Sequence, residues 1–236
     1  MKHFSNSIEA LKADEDSVKK QLLGGLILGL SIFIIPGVFL YGYMIQILKD
    51  TETRPLKKYP EWTNWGDLFI NGLLGIVIYL IVIIPIQLLI NAPILFEVAN
   101  IESAVGMYAL VIAGYLLSMF VGYVLPIVYA MVFRESGDLT DWSRMKAIIF
   151  SKEYFLAYLV LLAFGFGVGI LIVMLILFTF GLGLFFLPFV YFLIYCISMY
   201  VFGSAITEAD PEISQADPTS EEETTVTQLE DENPPF

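Results

Sequence analysis

The feature that most constrains this chain is a run of 53 residues, 154–206, that contains no Asp, Glu, Lys, Arg or His. Three further runs of this kind occupy residues 22–48, 68–91 and 104–133. About 20 apolar helical residues cross the ~30 Å hydrocarbon core of a bilayer. At 1.5 Å per residue the longest run would extend roughly 80 Å as one helix, so it must fold back.

The fold-back is predicted at Gly181 and Gly183, because Gly adopts turn conformations that other residues avoid. The composition agrees with a membrane protein, since 58% of the residues are hydrophobic and only 15% are charged. The predicted fold is therefore an all-α, polytopic integral membrane helical bundle over residues 22–206. Its five hydrophobic segments are 22–48, 68–91, 104–133, 154–180 and 184–206.

Two other architectures fit these runs poorly. Strands of an outer-membrane barrel alternate polar and apolar residues over about ten positions, and these runs do not alternate. Helices of a soluble protein need a polar outer face, which the runs do not provide. In lipid every backbone N–H and C=O must be paired within the protein, so uninterrupted apolar runs become helical.

The first segment, 22–48, has two interpretations that the sequence leaves open. Pro36 lacks a backbone N–H and clashes with the preceding turn of a helix, so a break at Ile35-Pro36-Gly37 is reasonable. A continuous helix would put the N-terminus and its four Lys outside, whereas a re-entrant hairpin keeps all twelve Lys and Arg on one side. The charge distribution favours the hairpin slightly.

The positions of Lys and Arg predict the orientation. They cluster at the N-terminus and in the loops 49–67 and 134–153, while the loop 92–103 has none. Basic loops remain on the cytoplasmic side of a membrane. We therefore expect a protein of the cell membrane whose two basic loops and C-terminal tail are cytoplasmic.

The two termini differ from the membrane domain. In residues 1–21, apolar side chains at near-heptad spacing predict an amphipathic surface segment. These side chains are Phe4, Ile8, Leu11 and Val18, followed by Leu22. Residues 207–236 carry ten acids and no base, within a net charge of −12 for the chain. Such a segment cannot bury enough apolar surface to fold, so a disordered acidic tail is predicted.

A weak internal repeat lies at the ends of the apolar segments and includes the two basic loops. Thr63-Asn64-Trp65 and Thr140-Asp141-Trp142 each precede an apolar span. Asn and Asp are N-cap residues, and Trp favours the membrane–water interface, so each triplet predicts a short interfacial helix that leads into a span. Two sets of apolar side chains are each predicted to share one helical face. These are Trp62, Trp65, Leu68 and Phe69, and then Trp142, Met145, Ile148 and Ile149.

Small residues at four-residue spacing occur in three segments and allow helix backbones to approach closely in lipid. They are Gly25 and Gly29, then Gly114, Ser118 and Gly122, then Gly165 and Gly169. Packing within one chain is the favoured interpretation, and a homo-oligomer through these faces is the alternative.

The sequence predicts no catalytic, cofactor-binding or metal-binding residues. His3 is the only histidine and Cys196 the only cysteine, which excludes a His-based metal site, a catalytic triad and an internal disulfide within this chain. No ionisable Asp, Glu, Lys, Arg or His lies in a span, which argues against proton or charged-ion transport. Pro85 with Gln87 and Asn91 is a candidate polar cavity for a neutral solute.

Several motifs resemble those of a known family. They are Gly24-Gly25, Ile35-Pro36-Gly37-Val38-Phe39-Leu40-Tyr41-Gly42-Tyr43, Pro60-Glu61-Trp62-Thr63-Asn64-Trp65-Gly66-Asp67-Leu68, Asn71-Gly72, Leu125-Pro126 and Ser151-Lys152-Glu153-Tyr154. Over about residues 20–206 the chain is similar to a prokaryotic, largely archaeal family of multi-pass membrane proteins, domain of unknown function 4013. The resemblance implies the membrane class and an archaeal origin, and it transfers no functional residue.

The preferred hypothesis is a non-enzymatic membrane protein with a structural or interaction role. Its expected partners are the lipid bilayer, a second copy of the chain and a cytoplasmic partner of the acidic tail; no cofactor and no nucleic acid are expected. The alternative is a passive facilitator or permease subunit for a neutral or lipid-like solute. An intramembrane enzyme is the least favoured hypothesis, because no paired catalytic groups are present.

Overall fold

The computed structural model describes residues 2–32, 34–52, 58–98 and 103–215, which are largely helical and contain no strand. The predicted all-α membrane bundle is confirmed. The helices are α1 (Lys2–Ala13), α2 (Ser17–Gly29), α3 (Ile34–Asp50), α4 (Trp65–Ile90), α5 (Ala92–Val98), α6 (Ala104–Phe133), α7 (Trp142–Ile149), α8 (Lys152–Phe178), α9 (Leu187–Ala209) and α10 (Pro211–Gln215). Short 3₁₀ turns occupy Leu30–Ile32 and Leu182–Phe186.

Four helical stretches are long and apolar enough to cross a membrane. Their mean hydropathies lie between 2.1 and 3.0. Many of their large apolar side chains point outward, and few residues of α8 are buried. A helix that is apolar on its outer face needs lipid around it, so the chain is a membrane protein. The four stretches are Trp65–Ile90, Ala104–Phe133, Lys152–Phe178 and Leu182–Ala209.

The first hydrophobic segment is broken into two arms. The turn Leu30–Ile32 separates α2 from α3. The first arm, α2, runs antiparallel to α9, because Gly24 lies against Phe192 and Gly29 lies against Pro188. This arm therefore runs along α9 toward the N-terminal end of α9.

The second arm, α3, returns along α9 in the opposite direction. The ring of Tyr43 lies 5.7 Å from that of Phe192, and Thr51 lies against Gly203 near the other end of α9. Pro36 falls in the first turn of α3, where a missing N–H leaves no helical hydrogen bond unmade. The segment is thus a hairpin whose two outer ends lie at the same end of the bundle.

The bundle has a charged end and an apolar end. The charged end holds α1, α7 and α10, the first turns of α2, α4 and α8, and the last turns of α3, α6 and α9. It also holds the connecting residues 58–64 and 134–141. The apolar end holds the turn Leu30–Ile32, α5 and the connection 179–186 between α8 and α9. Within the described ranges every Lys and Arg belongs to elements of the charged end, and Glu97 is the single Asp or Glu at the apolar end.

A pair of glycines lets α3 and α4 cross in close contact. A Cβ atom at Gly42 would lie 1.8 Å from the carbonyl oxygen of Leu68, and one at Gly72 would lie 1.9 Å from that of Val38. No side chain fits in such a gap, so Gly is required at both positions. This crossing fixes the hairpin against the first full span.

Both predicted helix starts are confirmed. The helices α4 and α7 begin at Trp65 and Trp142. The predicted cap forms in the second case, where the Asp141 carboxylate accepts a 2.9 Å hydrogen bond from the N–H of Arg144. Asn64 instead has a left-handed backbone conformation, with φ of +50°, and its side chain makes no capping hydrogen bond.

The two predicted interfacial helices have different outcomes. Trp62 precedes α4, and its ring stacks on Tyr43 at 4.1 Å, so the first stretch is not a separate short helix. The second stretch is the short helix α7, which leads into α8 as predicted. Its Met145 and Ile148 are buried, while Trp142 on the first turn is 57% exposed.

The N-terminal segment forms α1, which packs across α8 and α9. The ring of Phe4 lies 4.9 Å from that of Phe164. The predicted apolar face does not continue past α1, because Asp14 is buried and pairs with Lys20. Val18 is accordingly 67% exposed.

The beginning of the predicted acidic tail is part of the fold. Residues 207–209 complete α9, and α10 follows at Pro211–Gln215. The remainder of the tail, 216–236, lies outside the described residues.

Candidate functional site

The most polar site in the described chain is a junction at the charged end, where α3, α6, α7 and α9 meet. We call it the charged junction and define it as Thr51, Glu52, Arg134, Ser136, Arg144 and Asp210. Two arginines lie at its centre and are each only 5% exposed. A buried charge must be compensated by partners, so the contacts of these arginines determine the geometry.

The Arg134 guanidinium binds the ends of two helices. It donates to the carbonyl oxygen of Leu48 at 3.2 Å, to the hydroxyl of Thr51 at 3.1 Å and to the carbonyl oxygen of Gly203 at 2.7 Å. The carbonyl of Leu48 belongs to the last turn of α3, where carbonyls carry partial negative charge. Burial lowers the pKa of Arg134 to about 10, so the group keeps its positive charge at neutral pH.

Arg144 joins α7 to the end of α9. Its Nε and Nη2 atoms donate to the Asp210 carboxylate at 2.9 and 2.6 Å, and both side chains are almost fully buried. Its Nη1 atom lies 2.7 Å from a carboxylate oxygen of Glu212. Forked pairing of this kind fixes both distance and orientation. The first residues after the last span are therefore anchored to the second basic loop.

The two basic loops also contact each other directly. The Glu52 carboxylate accepts hydrogen bonds from the N–H groups of Glu135 and Ser136 at 3.1 and 2.9 Å, and from the Ser136 hydroxyl. The hydroxyl of Thr207 donates to the carbonyl of Thr51 at 2.9 Å. These bonds join the ends of α3, α6 and α9.

The N-terminal region is tied to the same end. The ammonium of Lys20 contacts Asp14 at 2.8 Å and Glu61 at 2.6 Å, and it donates to the carbonyl of Tyr59 at 2.9 Å. Nε2 of His3 lies 2.8 Å from the carboxylate of Glu208. That pair borders a cleft of about 170 Å³ between α1, α8 and α9.

The predicted polar cavity near Pro85 is not present among the described residues. Gln87 and Asn91 are both exposed on the outside of the bundle. The side-chain amide of Asn91 instead donates at 2.7 Å to the backbone carbonyl of Gln87. The amides therefore complete the end of α4, a common role near a helix terminus, and line no pathway.

The glycine patterns divide into packed and open examples. Gly25 lies against Phe189, so this pattern packs within the chain. Gly114 lies against Ile90 on α4. Gly165 and Gly169, in contrast, have no atom within 4 Å of the position that a Cβ would occupy.

The described residues contain no group of three His, Cys, Asp or Glu side chains that could hold a metal ion. Cys196 is fully buried, and burial of this kind is typical of a cysteine that acts as a small apolar side chain.

A family model described as "Protein of unknown function (DUF4013)" matches residues 26–180, well over half of the chain. The chain belongs to the DUF4013 family. The match to DUF4013 begins in the first arm of the hairpin and ends after α8, so it includes both arginines of the junction but not Asp210. No curated protein and no solved structure matches the chain.

Four of the six motifs that carry the resemblance to DUF4013 lie together in the structure, namely those between residues 24 and 72. Gly42 and Gly72 form the helix crossing, and Gly24 receives the ring of Phe192. Trp62 stacks on Tyr43, whose hydroxyl also donates to the Pro60 carbonyl at 2.9 Å. These motifs thus build the packing of the hairpin.

Sequence reasoning did not find the charged junction. Arg134 and Arg144 were counted as loop charges, and Asp210 as part of the tail, although all three are buried. The only sequence feature that points to these residues is their position next to the charge-free runs. Arg134 directly follows a span, and Asp210 follows the longest charge-free run by only four residues.

Proposed function

We propose that this DUF4013 protein is a non-enzymatic membrane protein with an interaction role, and that its charged end is a cytoplasmic docking platform. The observation that supports this function is the convergence of the N-terminus, both basic loops and the start of the tail on one end. Basic segments remain cytoplasmic, and only Glu97 is charged among the described residues of the opposite end. The proposed orientation therefore places every described basic segment on the cytoplasmic side.

The acidic tail is the proposed contact segment for a basic partner. Of its ten acids, Glu208, Asp210 and Glu212 are engaged by His3 and Arg144. The other seven lie between 217 and 232 with no base among them, and this charge favours a positively charged protein surface. The charged junction sets where the tail leaves the bundle.

Cysteine labelling tests the orientation. Single variants Lys12→Cys, Lys58→Cys, Glu97→Cys and Glu222→Cys are treated with a membrane-impermeant maleimide in intact cells and in inverted vesicles. We expect Glu97→Cys to react in intact cells and the other three only in inverted vesicles. The parent chain is the unlabelled control, because its single cysteine, Cys196, is buried. Labelling of Lys58→Cys and Glu97→Cys from the same side would refute the orientation.

A homo-oligomer through α8 is a further proposal, supported by the open surface at Gly165 and Gly169. We expect chemical cross-linking in native membranes to yield a dimer that Gly165→Leu abolishes. A dimer band of equal strength in Gly165→Leu places any contact elsewhere.

The alternative function is passive passage of a neutral or lipid-like solute. It requires a polar pathway, and reconstitution into liposomes with a panel of neutral solutes tests it directly. We expect uptake no faster than in liposomes without protein. Saturable uptake of any solute would replace the platform hypothesis with this one.

A further inference from the structure

The connection between α8 and α9 has an unusual surface. Residues 178–186, here named the aromatic tip, read Phe-Thr-Phe-Gly-Leu-Gly-Leu-Phe-Phe and contain no charged side chain. Phe180 is 99% exposed, Phe178 is 82% exposed and Phe185 is 76% exposed. Nothing else in the described chain covers these rings. A turn in water normally carries Gly, Asn, Asp or Ser rather than clustered aromatic side chains.

The backbone of the aromatic tip satisfies its own donors. Each N–H from residue 179 to residue 184 has an acceptor within the tip or the last turns of α8, with donor–acceptor distances of 2.8–3.3 Å. The hydroxyl of Thr179, the tip's only polar side chain, both donates to Leu175 at 2.6 Å and accepts from the N–H of Gly183 at 2.8 Å. No water is needed for these groups, as lipid requires of a buried turn.

The backbone conformation gives an independent argument. Two described residues other than Gly have positive φ, namely Asn64 at +50° and Phe180 at +51°. Asn tolerates this left-handed region, whereas Phe is strained in it. Asn64 is exposed at the charged end, and Phe180 is exposed at the apolar end. In water, neither the strained backbone of Phe180 nor its exposed ring would be compensated, so this residue favours apolar surroundings.

We propose that the aromatic tip lies at the headgroup boundary of the leaflet opposite the charged end, with its rings among the headgroup ends of the lipid acyl chains. Its exposed rings continue the outward-facing apolar surface of α8. The 27 residues of α8 extend about 40 Å, within the ~40–45 Å of a whole bilayer that includes both headgroup regions, so the turn stays at headgroup depth and does not reach bulk water. The tip anchors the α8–α9 pair in that leaflet, while α5 with Glu97 reaches water.

Accessibility of a cysteine in the tip tests the insertion. Phe180→Cys and Glu97→Cys are placed in proteoliposomes and treated with impermeant maleimide from both sides, so the result does not depend on the proposed orientation. We expect Phe180→Cys to react at least about tenfold more slowly than Glu97→Cys, because the reactive thiolate forms poorly outside water. Equal reactivity overturns the proposal.

A depth measurement separates lipid from a second chain as the occupant. An environment-sensitive fluorophore on Phe180→Cys is reconstituted with lipid brominated near the headgroup end of its acyl chains. We expect strong quenching at Phe180→Cys and weak quenching at Glu97→Cys. Absence of quenching at position 180, or oxidation of Phe180→Cys to a disulfide dimer in high yield, overturns insertion into lipid.

The two left-handed residues provide a matched pair of variants. Phe180→Asn relieves backbone strain but puts an amide into the leaflet, so we expect a lower Tm in proteoliposomes. If the tip lay in water, the same change would leave Tm unchanged or raise it. Asn64→Phe puts a strained Phe at the same backbone conformation at the charged end, where the side chain faces no lipid. We expect its Tm to fall equally in detergent and in lipid.

Discussion

The charged junction and the aromatic tip close the two ends of the same membrane bundle by different means. At the junction, buried arginines at the end of α6 and in α7 bind carbonyls and a carboxylate of α3 and α9 at distances of 2.6–3.2 Å. At the tip, the hydrogen bonds stay within the tip and the last turns of α8, and the large side chains point away from the protein. Tertiary structure at the first end is therefore held by specific polar contacts, whereas the second end depends on its surroundings.

The difference follows from the solvent at each end. Burying a polar side chain costs free energy unless hydrogen-bond partners replace the lost water, and this demand favours one arrangement of the helices. Apolar side chains in lipid gain little from packing on one another, because acyl chains are equally apolar. We therefore expect single substitutions to be costly at the junction and mild on the lipid-facing surface.

The largest effect should come from breaking the buried ion pair. Arg144→Ala leaves the Asp210 carboxylate buried without its main partner, which destabilises a folded state by about 3–5 kcal/mol. Unfolding by SDS in mixed micelles measures this loss. The matched control is Lys146→Ala, two residues away on the exposed face of the same helix, with an expected effect below about 0.5 kcal/mol.

The double variant Arg144→Ala with Asp210→Ala sharpens that result. Removing both charges leaves no unpaired carboxylate, so the double variant should be more stable than Arg144→Ala alone. If Arg144→Ala behaves like Lys146→Ala, the junction does not hold the charged end together.

The second prediction compares packed and open glycines. Gly42→Ala places a methyl group against the backbone of α4 and forces the helices apart, which we expect to cost about 1–3 kcal/mol. Gly165→Ala on α8 meets no atom of its own chain within 4 Å, so it should be neutral or slightly stabilising for a monomer. Both are measured by the same SDS unfolding. A larger loss for Gly165→Ala would show that a second copy covers this face of α8, as in the proposed dimer.

The sequence was sufficient for the helices because their cause is local. Charge-free runs of more than 20 residues must pair their backbone groups internally in lipid, and Trp65 and Trp142 follow residues that favour helix starts. The same reasoning left the first segment undecided. Contacts of α2 and α3 with α9, distant in sequence, decided it in favour of a hairpin.

The charged junction could not be predicted because its cause is not local. Arg144 and Asp210 are 66 positions apart, and each looks like an ordinary loop charge in sequence. The crossing of Gly42 and Gly72 was visible only as residues shared with a family, without a geometric role. The amides at Gln87 and Asn91 were overinterpreted, because a helix end accounts for both of them.

The smallest predicted effect concerns pH at the charged end. Burial raises the pKa of Glu52, but hydrogen bonds from Ser136 and Glu135 outweigh it and bring the pKa below the ordinary value of 4.5. A carboxylate with a lowered pKa stabilises the fold above pH 4.5, and this contribution disappears as the pH falls through the folded-state pKa.

Because Glu52 is partly exposed, we expect Glu52→Gln to cost about 1 kcal/mol of unfolding free energy at pH 7. Thermal unfolding in detergent at pH 7 and at pH 3.5 measures the difference, which should shrink at the lower pH. A gap between parent and variant that widens on acidification would contradict the role of the Glu52 carboxylate as the acceptor of these hydrogen bonds.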